Sequence, residues 1–356
     1  MDQSSQTENS AKIITEAVDG TLKSIDQGRE KEIITRRFGL YDRKETLEQI
    51  GEMLGITRER VRQLEKAILA RMKAIVADDK IDNMSAAERL VVRDLSEHGR
   101  VGRVRDIAER LVGKGNEAKY RPLVAFIAEL SPKLTVVNEN DFYHHSIGIA
   151  EHGDEKSVKK AIDEVVKTIK DGKEPIYIDN LHEKLPNYEQ PSHVRGLASA
   201  SKLLANLKDT WGLTKWPTVN PKNIRDKIFV ILSDNGKPMH FSEIAAAIKG
   251  SDFKRKNVTT QAIHNELIKD KRFVLIGRGI YALSAWGYSR GTVSDVIADI
   301  LREAGEPLHR DEIIKRMLKK RQVKETTVLL NLQSKSQFKR VAKATYALAE
   351  VTPSTD

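Results

Sequence analysis

The apolar positions of residues 46–68 recur at intervals of three and four, which is the spacing of two short amphipathic helices. Thr46, with Gln49 three residues later, predicts a capping box at the start of the first helix. Gly51 is small where the second helix must approach closely, and Gly55 favours the left-handed conformation that ends the first helix. The apolar stripe of this helix consists of Leu47, Ile50, Met53 and Leu54.

The second helix follows a turn that is filled by Ile56, and Thr57 is placed to cap it. Val61, Leu64 and Ile68 fall at helical intervals, so we expect them to face the core. The side chains of the opposite face are Arg58, Glu59, Arg62, Gln63 and Lys66. This pattern predicts a helix-turn-helix whose second helix enters the major groove of DNA. Arg can bind guanine O6 and N7, Gln can bind adenine N6 and N7, and Glu can accept from cytosine N4.

A pattern of glycine and isoleucine recurs further along the chain. A Gly stands eight residues before an Ile in three places, which are Gly99 before Ile107, Gly236 before Ile244, and Gly305 before Ile313. Near the end of each of these three units, a Tyr follows a Phe or Thr by the same eight residues. These pairs are Thr135 and Tyr143, Phe273 and Tyr281, and Phe338 and Tyr346. A looser copy over 171–181 is offset by one residue. The chain therefore contains related units.

The hydrophobic pattern of the best-defined unit, residues 222–287, changes from helical spacing to short strands. Three amphipathic segments, IRDKIFVIL, SEIAAAIKG and VTTQAIHNELIKD, precede the strands FVLIG and IYAL. Gly277 and Gly279 allow the positive backbone angles that a tight hairpin needs. Three helices and a β-hairpin predict a winged helix. The predicted fold class is mainly α, with a helix-turn-helix followed by tandem winged-helix (α+β) modules.

Clusters of Gly, Pro, Asn and charged residues suggest where these modules begin and end. The segments between the clusters are about 60 to 70 residues long, which is small for independent domains. The predicted segments are a disordered polar tail (1–10), the helix-turn-helix (11–77), and winged-helix modules at 85–148, 157–216 (divergent), 222–287 and 292–350.

The charge balance favours a polyanionic partner such as nucleic acid, because 61 Lys and Arg outnumber 51 Asp and Glu to give +10. The chain has no Cys, which excludes disulfides and thiolate metal sites and fits a reducing compartment. Its N-terminal sequence, MDQSSQTENS, lacks a secretion-signal pattern. Apolar runs such as IFVIL are too short to span a membrane. We expect a cytoplasmic protein without a membrane partner.

Two segments, REKEIITRRFGL (29–40) and TLEQIGEMLGITRERVRQLEKAI (46–68), resemble region 4 of bacterial sigma-70-type factors, which reads the promoter −35 element. The resemblance covers residues 22–75 and departs from the family pattern at Leu64, where Ile is usual. The base contacts that it implies are Arg58, Glu59, Arg62 and Gln63. The implied contacts at or near phosphates are Arg37, Thr46, Leu47, Thr57 and Arg60, and we add Lys66 from the same outer face.

The resemblance also implies partners. In this family, region 4 docks on the flap tip of the RNA polymerase beta subunit, so RNA polymerase core is expected beside double-stranded promoter DNA. A complete sigma factor also has an upstream region 2, whose aromatic residues stack on unpaired bases. Only 28 residues precede Arg29, and they contain no Phe, Trp or Tyr. We therefore expect a sigma-like accessory factor or regulator that does not melt a promoter itself.

GKPMHFSEIAAAI followed by FVLIGRGIYAL resembles the HARE-type winged helix-turn-helix, the module of the RNA polymerase delta subunit. The resemblance covers 222–287 well and 292–350 less closely, because AKA at 342–344 replaces GRG. Basic side chains before a third helix or at a wing suit phosphate contact. The candidates are Lys254, Arg255, Lys256, Arg278, Lys319, Lys320, Arg321 and Lys324. Alternatively, these modules are spacers or protein-docking domains.

Catalytic and cofactor motifs are missing from the sequence, which has no P-loop, Gly-x-Ser-x-Gly, HExxH or EF-hand pattern. Its nine His are scattered, and the adjacent His144 and His145 would point to opposite faces of a strand, which disfavours a shared metal site. We therefore expect no enzyme activity, metal, cofactor or small-molecule substrate.

These features predict a sequence-specific DNA-binding transcription factor that reads a −35-like element and acts with bacterial RNA polymerase in transcription initiation. Its expected location is the bacterial cytoplasm, at the nucleoid. One alternative is a delta-like RNA polymerase accessory protein without sequence readout. Another is a DNA-targeting component of a restriction or modification system, because HARE-type modules also accompany restriction endonucleases.

Overall fold

The computed structural model describes residues 3–349 except 41, 79, 254, 290 and 322. The chain divides into two compact units, residues 1–215 and 216–356. Both consist mainly of helices with small antiparallel sheets. The predicted fold class, a helix-turn-helix followed by winged-helix modules, is confirmed.

The first unit begins with four helices, of which the third and fourth form the helix-turn-helix. These are α1 (Gln3–Lys23), α2 (Gly28–Phe38), α3 (Leu47–Leu54) and α4 (Arg58–Ala77). The first winged-helix module contains α5 (Met84–His98), β1 (Val101–Arg103), α6 (Val104–Val112), α7 (Glu117–Leu130), β2 (Leu134–Val137) and β3 (Ser146–Ile149). The second contains α8 (Glu155–Gly172), β4 (Ile176–Tyr177), α9 (Ile178–Glu183), α10 (Pro191–Ala200), β5 (Leu204–Leu207) and β6 (Thr210–Leu213).

The second unit contains two further winged-helix modules. The third module of the chain contains α11 (Ile224–Asn235), β7 (Met239–His240), α12 (Phe241–Gly250), α13 (Thr260–Lys269), β8 (Phe273–Gly277) and β9 (Ile280–Leu283). The fourth contains α14 (Val293–Ala304), β10 (Leu308–His309), α15 (Arg310–Lys320), α16 (Glu325–Ser334), β11 (Phe338–Ala342) and β12 (Thr345–Leu348).

Each winged-helix sheet has one strand more than the hairpin that the sequence predicted. The strand orders are β1-β3-β2, β4-β6-β5, β7-β9-β8 and β10-β12-β11. The additional strand is two or three residues long and leads directly into the second helix of its module. It pairs with the last strand, as when Met239 faces Tyr281. A strand this short has no hydrophobic period of its own, so only the long-range pairing reveals it.

The repeated Gly and Ile mark the same structural positions in three modules. Gly99, Gly236 and Gly305 each follow the first helix with a positive φ, at 122°, 65° and 66°. The three Ile residues are fully buried. In the divergent module, Lys173 takes this position with φ 60°, and Leu181 is the buried partner eight residues later. The one-residue offset that the sequence showed over 171–181 therefore reflects Lys173, which stands where the other three modules have a glycine.

The predicted disordered tail is wrong for residues 3–10, which lie in α1. The Ser10 hydroxyl donates to the Gln6 carbonyl at 3.0 Å, and Ser10 is itself buried. Helix α1 packs against α5, α6 and α7 through Ile14, Ala17 and Val18. The sequence at the start of α1 is mostly polar, which is why a disordered tail was predicted. The helix nevertheless extends back to Gln3 from the buried apolar residues that begin at Ile14.

The helix-turn-helix and the first winged-helix module share one hydrophobic core, formed by buried residues between positions 14 and 149. The Phe38 ring meets the Phe126 ring edge-on, with centroids 4.9 Å apart. Lys73 of α4 pairs with Glu129 of α7 at 2.8 Å. The predicted segments 11–77 and 85–148 are therefore not separate folding bodies.

Two smaller expectations from the sequence also differ from the structure. Thr135 lies in β2, but Tyr143 lies outside β3 and bridges Ser201 instead. The connection from β2 to β3 is eight residues long, so the eight-residue interval does not mark equivalent positions in this module. Met53 of the predicted apolar stripe is 42% exposed. Helix α3 is only eight residues long, and its buried face needs only Ile50 and Gly51.

Candidate nucleic-acid interface

Local hydrogen bonds set the start of α4 against α3. Thr46 and Gln49 form the predicted capping box, and Gly55 ends α3 with φ 65°. The Thr57 side chain accepts from the Arg60 amide at 3.2 Å. A Cβ atom at Gly51 would lie 2.7 Å from the Ile56 carbonyl oxygen, so only glycine fits where the turn crosses α3.

One face of α4 anchors the helix and the other is open. Val61, Ile68 and Met72 are buried, and Leu64 is half-buried. The exposed residues on the first turns of α4 are Arg58, Glu59, Arg60, Arg62, Gln63 and Lys66. All four predicted base-contact side chains therefore lie together on the exposed face.

Glu59 joins these side chains into a network. The Arg62 guanidinium donates to both Glu59 carboxylate oxygens, at 2.8 and 2.7 Å, and Gln63 donates to one of them at 3.2 Å. The hydrogen bond from Arg62 lowers the pKa of the Glu59 carboxyl to about 2. Glu59 is therefore ionised at neutral pH and holds Arg62 and Gln63 side by side.

The predicted phosphate contacts differ in their availability. Arg60 and Lys66 are exposed, and Thr46 and Thr57 lie at helix N-termini, where backbone amides favour anions. Leu47 is half-buried. Arg37 is also half-buried, and it pairs with Glu65 at 3.1 Å, so this ion pair joins α2 to α4.

Cations of the third module were predicted before its third helix and at its wing. Lys254 lies outside the described residues. Arg255 is exposed, and its backbone carbonyl accepts from Lys227 at 2.9 Å. Lys256 donates to the Ser251 carbonyl at 3.0 Å. Arg278 is exposed at the tip of the β8–β9 hairpin.

In the fourth module, two predicted cations are used within the fold. Lys320 pairs with Glu303 at 2.6 Å, and Arg321 donates to the Gly291 carbonyl. Burial lowers the pKa of the Arg321 guanidinium. Lys319 and Lys324 are exposed.

Sequence reasoning missed three exposed cations on the β11–β12 hairpin of the same module, Lys339, Arg340 and Lys343. The signal was present in the alignment of the repeats. FVLIGRG in the third module corresponds to FKRVAKA in the fourth, so two apolar strand positions have become basic.

The adjacent histidines of the first unit, His144 and His145, are both half-buried. Burial lowers the pKa of each imidazole, and that of His145 falls to about 4. Among the described residues, no group of three or more His, Asp or Glu is arranged to hold a metal ion. Within the same residues, no helix combines the length and apolar character that crossing a bilayer requires.

Comparison with known proteins matches the segment that carries this interface. Residues 27–74 match the family model described as Sigma-70, region 4. Over 46 residues the chain is 52% identical to RNA polymerase sigma factor sigB of Arabidopsis thaliana, covering 13% of this chain and 8% of that protein. Over 47 residues it is 53% identical to RNA polymerase principal sigma factor HrdC of Streptomyces coelicolor, covering 13% and 14%.

A longer match, 37% identical over 62 residues, is to RNA polymerase sigma factor SigA1 of Synechococcus elongatus, covering 17% of this chain and 15% of that protein. The chain therefore spans only a small fraction of the length of these curated relatives. The predicted resemblance of the N-terminal segment to sigma-70 region 4 is confirmed. The resemblance of 222–287 and 292–350 to HARE-type modules stays a prediction.

Proposed function

We propose that this chain is a DNA-binding transcription protein that reads a −35-type element through α3 and α4 and acts with RNA polymerase in initiation. One observation carries the proposal. The segment that matches sigma-70 region 4 keeps its outward polar face exposed, although its opposite face is built into a larger core.

The exposed face has the chemistry for reading base edges. Arg58 and Arg62 can each bind guanine, Gln63 can bind adenine, and Glu59 can accept from cytosine. Arg62 must exchange its hydrogen bonds to Glu59 for hydrogen bonds to a base. Because both side chains are more than half exposed, water already screens the pair and the exchange is accessible.

The surrounding cations supply affinity that is independent of sequence. Residues 27–74 contain 12 Lys and Arg against 8 Asp and Glu, so the segment is basic overall. Arg60, Lys66 and the helix N-termini at Thr46 and Thr57 would contact phosphates and set the register, with Leu47 and Arg37 beside them.

RNA polymerase core is the proposed protein partner, because the matched relatives are named as RNA polymerase sigma factors. Docking on the beta-subunit flap and action at the bacterial nucleoid belong to the same proposal. The alternative is a delta-like accessory protein whose helix-turn-helix reads no sequence.

A DNA titration of the full chain tests sequence reading. The full chain is required because residues 11–77 share their core with the module that follows. Binding to a duplex with a −35-type element is compared with binding to a scrambled duplex at two salt concentrations. Arg58→Ala and Gln63→Ala should each reduce the preference by about 1–3 kcal/mol, because each removes one of several base contacts.

Arg89→Ala is the matched control, since it removes one exposed charge from α5, outside the reading face. It should leave the preference unchanged. Equal affinity of the unsubstituted chain for both duplexes would reject sequence reading and favour the delta-like alternative. Metal-dependent cleavage of either duplex would instead support the restriction-system alternative.

A further inference from the structure

The net positive charge of the chain comes from the second unit, because the charges of the first unit cancel. Residues 216–356 contain 25 Lys and Arg against 15 Asp and Glu, whereas residues 1–215 contain 36 of each. The whole net charge of +10 therefore lies outside the unit that carries the helix-turn-helix. An uneven charge of this kind indicates a separate polyanion-binding surface.

Paired cations do not account for this excess. Arg272 pairs with Asp270 and Asp226, Arg316 with Glu312, and Lys320 with Glu303. By contrast, Lys335, Lys339, Arg340 and Lys343 are exposed, and none has a carboxylate partner among the described residues. Arg340 donates to the Ala342 carbonyl at 3.2 Å, within its own hairpin.

The hairpins of the third and fourth modules can be compared position by position. Phe273 pairs with Leu283 as Phe338 pairs with Leu348, and both hairpins have a register shift at the same place. The third hairpin presents Val274 where the fourth presents Lys339, and Leu275 where the fourth presents Arg340. Val274 is buried in a small apolar cluster, whereas Lys339 is exposed.

The third helix of the fourth module lacks the corresponding charge. Helix α16 contains no Lys or Arg, and its exposed Leu330 is 62% accessible. Of the third helix and the hairpin of this module, the hairpin is therefore the basic element. A strand rise of about 3.3 Å per residue puts the Cα atoms of Lys339 and Lys343 at most about 13 Å apart, which equals the rise of about four base pairs along the DNA axis.

We infer that the β11–β12 hairpin binds the phosphate backbone of duplex DNA without sequence readout, through Lys339 and Arg340 on its two faces and Lys343 at its tip, with Lys335 beside them. The site is distinct from the α4 face and anchors the second unit to DNA. Tethering this anchor to a sequence reader raises the effective concentration of each for the same duplex.

Salt-dependent binding to a scrambled duplex tests this site in the full chain. The triple variant Lys339→Ala, Arg340→Ala and Lys343→Ala should bind more weakly. It should also lower the slope of log affinity against log salt by about 0.9 for each phosphate that is no longer neutralised, thus by about 2 to 3. The matched control, Lys222→Ala, Lys237→Ala and Lys249→Ala, removes three exposed charges from the third module and should leave the slope within about 0.5 of the original.

The charge-conserving variant Lys339→Arg with Lys343→Arg should retain the original slope, which separates charge from misfolding. An unchanged slope in the hairpin triple, or an equal loss in the control triple, would overturn the inference. Gln63→Ala tests the helix-turn-helix separately, because it alters sequence preference without changing charge. If the unsubstituted chain shows no sequence preference but the hairpin triple still lowers the slope, the hairpin site is supported and sequence reading by the helix-turn-helix is rejected.

Discussion

Replacing Phe126 with Ala should destabilise the helix-turn-helix and the first winged-helix module together. Phe126 lies on α7, is fully buried and meets the Phe38 ring of α2 edge-on at 4.9 Å. Loss of a buried Phe side chain costs about 3–5 kcal/mol, to which the missing ring pair contributes about 0.5–1.5 kcal/mol. We expect a total loss of about 4 kcal/mol, a large part of the stability of a typical domain.

Hydrogen exchange of the full chain measures where this destabilisation occurs. Amides of α4 and α7 that open with the core should exchange about 10³-fold faster in Phe126→Ala, since each 1.4 kcal/mol is about tenfold. The control Phe273→Ala removes a buried Phe from the second unit and should leave α4 unchanged. Faster exchange confined to α5–α7, with α4 fully protected, would refute the shared core.

Two further outcomes are expected from backbone strain and from burial. Ala344 has φ 56° at the tip of the β11–β12 hairpin, a backbone conformation that glycine adopts with less strain. Ala344→Gly should therefore stabilise the fold by about 0.5–1 kcal/mol, after the greater unfolded-state entropy of Gly is subtracted, and raise the urea midpoint of unfolding. A lower midpoint would contradict this. Burial lowers the pKa of the His145 imidazole to about 4, and the nearby charges of Lys44 and Arg121 add to this effect. As the pH falls, His145 is therefore protonated in the unfolded chain before it is protonated in the folded chain. Stability should fall by up to about 3 kcal/mol from pH 6.5 to 4, and His145→Gln should flatten that part of the curve; an NMR titration midpoint near 6.5 would exclude it.

The location of the candidate site was predictable from the sequence because its signals are local. The Thr46 and Gln49 capping box and the left-handed Gly55 depend on neighbours within one helical turn. The exposed face from Arg58 to Lys66 follows from the helical period alone. Local spacing could not reveal the hydrogen bonds that Arg62 and Gln63 donate to Glu59. Each of these long side chains can reach several partners in different rotamers, and the sequence does not specify which rotamer is adopted.

The sequence by itself determined the helix-turn-helix, the winged-helix repeats and the glycine positions, since helix period, capping and positive φ are properties of a few consecutive residues. Tertiary structure decided which distant surfaces meet. It buries α1 against α5–α7, adds a short third strand to each sheet and uses Lys320 and Arg321 inside the fourth module. These features depend on burial and pairing between residues far apart in the chain, and such contacts leave no periodic trace in the segments that make them.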